Sequence, residues 1–443
     1  MVTYSGIGSY SNSNIFSFSA SFTASVGGEK KLKGEEKQKI YFLSISDKPQ
    51  VIGSLFSNAV GYVGEQLGSE LVSKESEQLS DSKVASSALF FNGRLNSLYN
   101  LGATQYIIGG NSIKELKTET LLDNGWIVVS SSELSKEDFK LIQEKVKEGI
   151  TPRYLTEYVL RTNPMLKAIT VAAINAKLVN YDFLEGSPFF SYYSHPGKVR
   201  SNNEDAYFVG SFDLSVDNKR SRYQVLCVAD GAGGHMHGEV ASKEAILWVF
   251  SQIGKAIIEG NLENNVSNTL HQIISSLNER ILELKSRRVS NMASTLSVAL
   301  VAGEDVCIGH VGDSRIYVID TNNERIIQLT KDHKYVEELV DKGVITREEA
   351  KVHPQRNIIT SAIGMNNPRI DIIHLNKELS RSKKLIVCSD GLSDLVDDTE
   401  IYRVASNTQS LKNKAKKLVE LANQRGGLDN ISVVTLEYLK SSA

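Results

Sequence analysis

Four aspartates share one setting, because each lies at the end of an apolar segment with the composition of a buried β-strand. They are Asp230 after residues 225–229, Asp313 after residues 306–311, Asp390 after residues 385–388 and Asp429 just before residues 431–436. Carboxylates gathered at the ends of buried strands repel one another, and they are tolerated together when cations lie between them. The pattern therefore predicts a hydrolase that binds hard divalent metal ions.

The composition limits the classes of function that fit the chain. With 443 residues it is long for one domain and comfortable for two. Its 50 basic and 52 acidic residues leave no large basic field, so neither nucleic acid nor a membrane surface is an expected partner. No apolar run approaches the roughly 20 residues of a membrane helix, and no Sec signal peptide is recognisable. A cytoplasmic protein is expected, and export by a signal-independent system stays open.

Apolar periodicity indicates how the chain is built around these carboxylates. Helical spacing extends over residues 239–258 and 266–284, and a third helix is expected at about residues 411–424. Residues 296–319 alternate as an antiparallel meander. Strand runs interrupted by helix pairs favour a layered α+β fold, in which helices cover antiparallel sheets. Three cysteines without CxxC spacing lie in predicted strands and are expected to be reduced core thiols. They are Cys227, Cys307 and Cys388.

Six short motifs occur in order along the second half of the chain. They are Arg200-Ser-Asn-Asn-Glu-Asp-Ala206, Ala229-Asp-Gly-Ala-Gly-Gly-His-Met-His-Gly-Glu-Val-Ala-Ser242, Ser294-Thr-Leu296, Val311-Gly-Asp-Ser-Arg-Ile-Tyr317, Ser389-Asp-Gly391 and Asp429-Asn-Ile-Ser432. Together they resemble the bacterial form of the metal-dependent type 2C serine/threonine protein phosphatases, over roughly residues 187–440. Residues 329–366 resemble the mobile flap of these enzymes.

The resemblance implies a fold and a chemistry. The fold is an α-β-β-α layered sandwich of two antiparallel sheets flanked by helices. The activity is hydrolysis of phosphoserine and phosphothreonine in a phosphoprotein, by a hydroxide that bridges two divalent metal ions. Ligation by carboxylates, a backbone carbonyl and water selects Mg²⁺ or Mn²⁺ over zinc.

The resemblance also assigns roles to individual residues. Asp230 would bridge both ions, and the Gly231 carbonyl would bind one of them. The remaining ligands of the pair would be Glu204 with the neighbouring Asp205, Asp390 and Asp429. Asp313 and Asp390 would hold a weaker third ion. Arg200 would bind the substrate phosphate through two parallel hydrogen bonds, a task that lysine performs poorly.

The first half of the chain carries weak matches to the second half, in the same order. The matched pairs are Ile15–Phe18 with Phe189–Tyr192, Ile40–Phe42 with Ala206–Phe208, Ser57–Gly61 with Ala229–Gly233, Gly93–Gln105 with Gly303–Arg315, Ile127–Ser130 with Leu385–Cys388 and Leu166–Val171 with Leu428–Val433. The sequence thus predicts the same fold twice in tandem. Residues 1–11 would be a flexible N-terminus, residues 12–183 a degenerate phosphatase-like domain and residues 187–443 the catalytic domain.

Under this alignment the first half lacks every metal carboxylate and the flap. The aligned replacements are Gln38 for Glu204, Lys39 for Asp205, Asn58 for Asp230, Ala103 for Asp313, Ser132 for Asp390 and Lys167 for Asp429. We therefore expect a pseudophosphatase domain that binds no divalent metal and has a regulatory or structural role.

Two alternatives stay open at this point. The whole chain could be a signalling scaffold in which the phosphatase fold is used for binding, although the intact carboxylate set argues against a silent second half. The first half could dock against the active half, offer a substrate-binding surface or set an oligomeric state, and it could switch a phosphatase that serves one signalling partner.

Overall fold

The structure is a computed structural model. It describes residues 2–11, 15–26, 38–66, 85–91, 94–101, 103–109, 112–116, 120–121, 125–148, 150–163, 165–178, 188–217, 219–232, 237–288, 291–376, 383–407 and 413–438. In this part of the chain, no helix is both long and apolar enough to cross a membrane.

Strands and helices alternate along both halves of the chain. The strands of the first half are β1 (Val2–Ser11), β2 (Phe16–Val26), β3 (Gln38–Ser46), β4 (Ala85–Phe91), β5 (Arg94–Leu101), β6 (Thr104–Gly109), β7 (Ser112–Glu115), β8 (Thr120–Leu121), β9 (Gly125–Ser130) and β10 (Ala168–Leu178). Those of the second half are β11 (Pro188–His195), β12 (Asp205–Val216), β13 (Lys219–Ala232), β14 (Ala293–Ser294), β15 (Leu296–Ala302), β16 (Asp305–Val311), β17 (Arg315–Asp320), β18 (Arg325–Gln328), β19 (Asp371–Leu375), β20 (Lys383–Cys388) and β21 (Ile431–Tyr438). The helices are α1 (Pro49–Gln66), α2 (Lys136–Lys147), α3 (Pro152–Thr162), α4 (His237–Ile258), α5 (Asn261–Arg288), α6 (Tyr335–Asp341), α7 (Arg347–Val352), α8 (Asp390–Ser393), α9 (Asp398–Ser406) and α10 (Lys414–Gln424).

The described strands form three sheets. The largest has the order β19-β16-β15-β13-β12-β2-β3-β4-β5-β8, with β14 beside β13. One five-stranded sheet has the order β1-β10-β9-β6-β7, and the other has the order β11-β21-β20-β17-β18. Neighbouring strands are antiparallel, which agrees with the predicted α+β class of antiparallel sheets flanked by helices.

Side chains of the second half alternate between two cores, as expected for strands covered on both faces. Leu226 and Val228 of β13 face the five-stranded sheet and belong to the core between the sheets. Val225 and Cys227 point the other way and pack with α4 and α5. A third core lies where α9 and α10 cover the five-stranded sheet. The carboxylates of interest lie where these strands end.

The first half is layered in the same manner. Leu43 and Ile45 of β3 pack against Ile127 and Val129 of β9 between the two sheets. Helix α1 covers the outer face of the large sheet, and α2 and α3 cover the outer face of the five-stranded sheet. Only residues 116–119 separate β7 from β8, whereas residues 329–370 separate β18 from β19 and include α6 and α7. The segment between β7 and β8 is thus much shorter than the segment between β18 and β19.

The two halves meet in the large sheet. Strand β2 pairs with β12 in a continuous antiparallel register, from Ser17 opposite Ser215 to Val26 opposite Ala206. On the helical face of the large sheet, α1 and α4 pack together. The ring of Phe56 in α1 lies so close to Gly254 in α4 that any side chain at residue 254 would overlap with it. The sheet therefore runs through the boundary that the sequence predicts between the domains.

Aromatic and charged side chains reinforce this junction. The ring centroid of Phe56 lies 5.4 Å from that of Phe18 and 5.5 Å from that of Phe250. Across the same junction Arg220 forms an ion pair with Glu157 at 2.9 Å, and it also pairs at 2.7 Å with the fully buried Asp213. Burial would raise the pKa of Asp213, but the charges of Arg222 and Arg220 and their hydrogen bonds keep it below its ordinary value.

Three expectations about the first half are wrong. Residues 2–11 form β1, which pairs with β10, and are not a flexible arm. The segment Ser57–Gly61 lies inside α1, so Asn58 cannot occupy the strand-end position of Asp230. The segment Ile15–Phe18 contributes to β2, the neighbour of β12, and not to a counterpart of β11. Weak matches between apolar stretches do not fix which strand is which, because many strands share that composition.

The cysteine prediction is confirmed. The three thiols are buried and form no disulfide. Burial raises the pKa of Cys388 to about 12, so the thiolate that a nucleophile needs is disfavoured.

Candidate metal centre

The backbone of three segments meets at Asp230, at the end of β13. Its N–H donates to Thr295 Oγ1 at 2.9 Å, and the Thr295 N–H donates to the Asp230 carbonyl at 2.8 Å. The next N–H, from Gly231, donates to the Glu204 carbonyl at 3.2 Å. A Cβ at residue 231 would collide with the carbonyl oxygens of Glu204 and Gly238, so only glycine fits there.

Asp205 lies directly opposite Asp230 in the β12–β13 register. It is 1% exposed, and Ser389 Oγ donates to its Oδ2 at 2.8 Å. Among the described residues its Oδ1 has no hydrogen-bond partner. Burial is the main reason that the pKa of Asp205 rises to about 7, and the charge of Asp429 adds to it. A buried carboxylate oxygen without a donor is suited to a cation.

Asn430 joins the loops that carry Glu204 and Asp429. Its Oδ1 accepts the Glu204 N–H at 2.7 Å, and its Nδ2 donates to the carbonyls of Pro196 and Asn202 at 3.0 and 2.8 Å. Its own N–H donates to Asp429 Oδ1 at 2.8 Å. These bonds bring Glu204 and Asp429, which are far apart in the sequence, to the same end of the sandwich.

Arg200 is the exposed cation of this end. Its Nη2 lies 2.7 Å from Asp429 Oδ2, and its side chain is 55% exposed. The hydrogen bond to Asp429 is the main cause that raises the pKa of Arg200, and the charges of Glu204 and Asp230 act in the same direction. An exposed ion pair contributes little stability, so the guanidinium can exchange this partner for a phosphate at small cost.

Asp390 and Asp313 complete the acidic end. Asp390 is the first residue of α8, directly after Ser389, and Asp313 follows β16 through Gly312, whose φ of +107° favours glycine. Asp313 is 1% exposed. A Cβ on Gly391 would collide with a backbone carbonyl of the β21 entry, so the turn after Asp390 also requires glycine.

Burial and mutual repulsion act together on the pKa values of the group. Burial, followed by the charges of Asp205, Asp390, Asp313 and Asp429, raises the pKa of Asp230 well above its ordinary value. Burial and the charge of Asp313 raise the pKa of Asp390 in the same way. The residues therefore fit divalent cations, since bound positive charge would relieve this repulsion and oxygen donors suit Mg²⁺ or Mn²⁺.

The side chains gather without forming a closed ligand shell. Within the described residues, no group of three or more acidic, histidine or cysteine side chains is arranged to hold a metal ion. The eight residues predicted from the sequence nevertheless meet at one end of the second half, through the hydrogen bonds and charge interactions above. They are Arg200, Glu204, Asp205, Asp230, Gly231, Asp313, Asp390 and Asp429.

Sequence reasoning missed two charged residues of the centre, Lys334 and Asp394. Lys334 Nζ lies 2.9 Å from Asp313 Oδ2, 3.8 Å from Asp390 Oδ2 and 3.6 Å from Asp394 Oδ1. Burial would lower the pKa of Lys334, but the three carboxylates raise it, so the group is a cation in this setting. The one signal available in the sequence was a lysine directly after the flap motif that ends at His333.

Comparison with known proteins gives the class of the fold and site. The family model for protein phosphatase 2C matches residues 198–425. A 2C-type protein phosphatase of Streptococcus pyogenes serotype M6 is 35% identical over 240 residues, which cover 54% of this chain and 92% of that protein. A serine/threonine phosphatase of Listeria welshimeri serovar 6b is 32% identical over 243 residues, with 54% and 92% covered.

A solved structure agrees with these matches. The serine/threonine phosphatase of S. agalactiae is 33% identical to this chain, which it resembles with a TM-score of 0.50 over 57% of this chain and 100% of its own. The chain belongs to the protein phosphatase 2C family, and the prediction of a protein phosphatase is confirmed.

Proposed function

We propose that the second half hydrolyses phosphoserine and phosphothreonine in proteins with the help of two Mn²⁺ or Mg²⁺ ions held by its acidic end. The observation that carries this proposal is the convergence of four aspartates on Asp230, whose charges add to the effect of burial in raising its pKa. The four are Asp205, Asp313, Asp390 and Asp429. Such an arrangement is unfavourable in a protein that leaves it without cations. A scaffold with a silent site would gain nothing by keeping it.

The chain's own residues prepare the reaction in three ways. The two ions would be held by four acids, Glu204, Asp230, Asp390 and Asp429. When bound, the ions supply a nucleophilic deprotonated water and neutralise phosphate charge. Ser389 keeps Asp205 oriented behind them through its 2.8 Å hydrogen bond. Arg200 would orient the phosphate in front of them through a bidentate contact.

The test is hydrolysis of p-nitrophenyl phosphate and of a phosphothreonine peptide by the full chain. With Mn²⁺ present we expect turnover, and with excess chelator we expect none, with recovery when Mn²⁺ is added back. Turnover that survives the chelator would contradict the proposal.

We further propose that the first half is a second copy of the same fold. The support is its strand order: β1-β10-β9-β6-β7 repeats β11-β21-β20-β17-β18, and β2-β3-β4-β5-β8 repeats β12-β13-β15-β16-β19. Ten strands in the same two orders are hard to obtain by chance.

A hydrogen-bonded serine supports the same correspondence in detail. The Ser389 N–H donates to the Ser432 carbonyl at 3.0 Å, while its Oγ accepts the Ser432 N–H at 2.9 Å. In the first half the Ser131 N–H donates to the Ala168 carbonyl at 3.0 Å, and its Oγ accepts the Ala168 N–H at 3.0 Å. Ser131 therefore corresponds to Ser389, and Ala168 to Ser432.

These anchors revise the alignment of the missing carboxylates. Counting from the serines, Ser132 corresponds to Asp390, and Met165, which is 84% exposed, corresponds to Asp429. Lys167 therefore does not take the place of Asp429. The two halves of the large sheet can be aligned by their cross-strand pairs. Leu43 of β3 faces Ala88 of β4, as Leu226 of β13 faces Ala299 of β15, so we match Leu43 with Leu226 and Ala88 with Ala299.

The same pairs support three further correspondences. Asp47 would match Asp230, Ile15 would match Asp205 and, because Leu101 faces Ala85 as Val311 faces Leu296, Ala103 would match Asp313. The position that matches Glu204 falls just before Ile15, outside the described residues. One acid of the set, Asp47, is thus kept, and we propose that the first half binds no pair of divalent ions.

The role we propose for this copy is structural, by docking on the second half. It covers the edge of β12 with β2, and an edge strand left without a partner is prone to aggregate. Arg220, which pairs with the buried Asp213, also pairs with Glu157 of the first half. Removing the copy would expose both the edge and the phenylalanines around Phe212.

A further inference from the structure

Lys334 lies where the resemblance implies a third metal ion. That ion was expected between Asp313 and Asp390, and the ammonium group of Lys334 is 2.9 Å from one and 3.8 Å from the other. Asp394 contributes a third oxygen at 3.6 Å. The side chains of Lys334 and Asp313 are 7% and 1% exposed, so this ion pair is buried, whereas Asp394 lies at the exposed side of the arrangement.

The flap backbone fixes the lysine in this position. The N–H of His333 donates to the Gly312 carbonyl at 2.7 Å, and the Gly312 N–H donates back to His333 Nδ1 at 3.1 Å. Lys334 itself bridges to Ile359, and the Tyr335 N–H donates to the Ile358 carbonyl at 2.9 Å. The lysine is therefore presented to Asp313 by a backbone that is bonded to the Asp313 loop.

An ammonium and a divalent ion cannot share this space. Both require the same carboxylate oxygens, and two cations that close would repel each other strongly in a buried site. Removing the lysine would in turn leave the buried Asp313 without its ion-pair partner, a setting that favours uptake of a metal ion.

We propose that the Lys334 ammonium replaces the third divalent ion between Asp313, Asp390 and Asp394, so that the centre takes up two ions only. The inference rests on the proposed metal-dependent function. It assigns Asp313 to binding the flap through Lys334, and not to holding a metal ion.

The test is a count of bound Mn²⁺ by equilibrium dialysis and elemental analysis of the full chain. We expect two ions for the wild type and a third for Lys334→Ser. A second variant, Lys334→Met, removes the charge but keeps the apolar stem, and it should also take up a third ion if Lys334→Ser does not fold. Lys331→Ser is the matched control on the same segment, and it should bind two ions.

A further substitution identifies the site of the extra ion. Adding Asp313→Asn to Lys334→Ser should remove the third ion, while Asp313→Asn alone should leave two. A wild type that binds three ions, or folded lysine variants that still bind two, would overturn the inference and leave the proposed phosphatase intact. A wild type that binds no ion would contradict the proposed function itself, and this inference with it.

Discussion

In the proposed tandem repeat, the ends of β3 and β13 occupy corresponding places in one continuous sheet, yet they carry different chemistry. Near the end of β13, burial and the charges of surrounding acids raise the pKa of Asp230. Beyond β3, the corresponding Asp47 has Ser132 and Met165 at the places of Asp390 and Asp429 in the proposed alignment. The serine that ties the neighbouring strands is kept on both sides, as Ser131 and Ser389.

This difference separates what the fold needs from what the reaction needs. Apolar alternation and a buried serine are enough to hold the sandwich together, and both halves have them. The acids oppose folding because burial and repulsion disfavour their charged forms. A half of the chain that no longer binds metal ions is expected to lose these acids first and to keep its apolar core.

The largest effect is expected at the junction of the halves, with Phe56→Ala. Phe56 packs against rings of both halves, and removing a buried phenylalanine ring lowers the free energy of unfolding by about 3–5 kcal/mol. Thermal or denaturant unfolding measures it. Tyr62→Ala, on the exposed side of the same helix, is the control and should change stability by less than about 0.5 kcal/mol. Equal stability of Phe56→Ala and wild type would mean that the halves do not pack as described.

The next effect concerns activity and not stability. Arg200→Ala should lower kcat/KM for a phosphopeptide by roughly a hundredfold, because the proposed bidentate contact to the phosphate would be lost. Arg200→Lys should recover only a part of that loss, since an ammonium cannot make the paired contact. Arg403→Ala, another exposed arginine of the second half, should have wild-type kinetics. A wild-type rate for Arg200→Ala would remove Arg200 from the site.

The smallest effect compares the two serines directly. Ser131→Ala and Ser389→Ala each lose hydrogen bonds to a neighbouring strand, so each should lower stability by about 1 kcal/mol. Ser389 alone also donates to Asp205, and therefore only Ser389→Ala should weaken Mn²⁺ binding. Unfolding and Mn²⁺ titrations separate the two outcomes. Equal weakening of Mn²⁺ binding by both variants would contradict the assignment of the centre to the second half.

Much of the second half could be predicted from its sequence. The strand that delivers Asp230, the meander over 296–319 and the helix near 411–424 follow from apolar runs bounded by glycine or acids, and the structure has them. These signals are local, because a buried strand that ends on a polar turn is recognisable without knowledge of its neighbours.

What failed in the prediction depends on contacts between distant segments. The segment around Asn58 is apolar with small residues, which suits either a strand turn or a helix, and the structure makes it part of α1. The pairing of β2 with β12 joins segments nearly two hundred residues apart in the chain, and no local pattern indicates it. Lys334 reaches Asp313 because of the backbone bonds of His333, which the sequence does not reveal.

The contrast between the two strand ends is tested most directly by one pair of variants, Asp230→Asn and Asp47→Asn, assayed with a phosphothreonine peptide and Mn²⁺. We expect Asp230→Asn to lose activity by roughly a thousandfold or more while it stays folded, because a carboxylate that would hold the ions is gone. Asp47→Asn should keep kcat within about twofold of wild type, since no pair of ions is proposed at its strand end. Wild-type turnover by Asp230→Asn, or an equal loss in folded Asp47→Asn, would contradict the account.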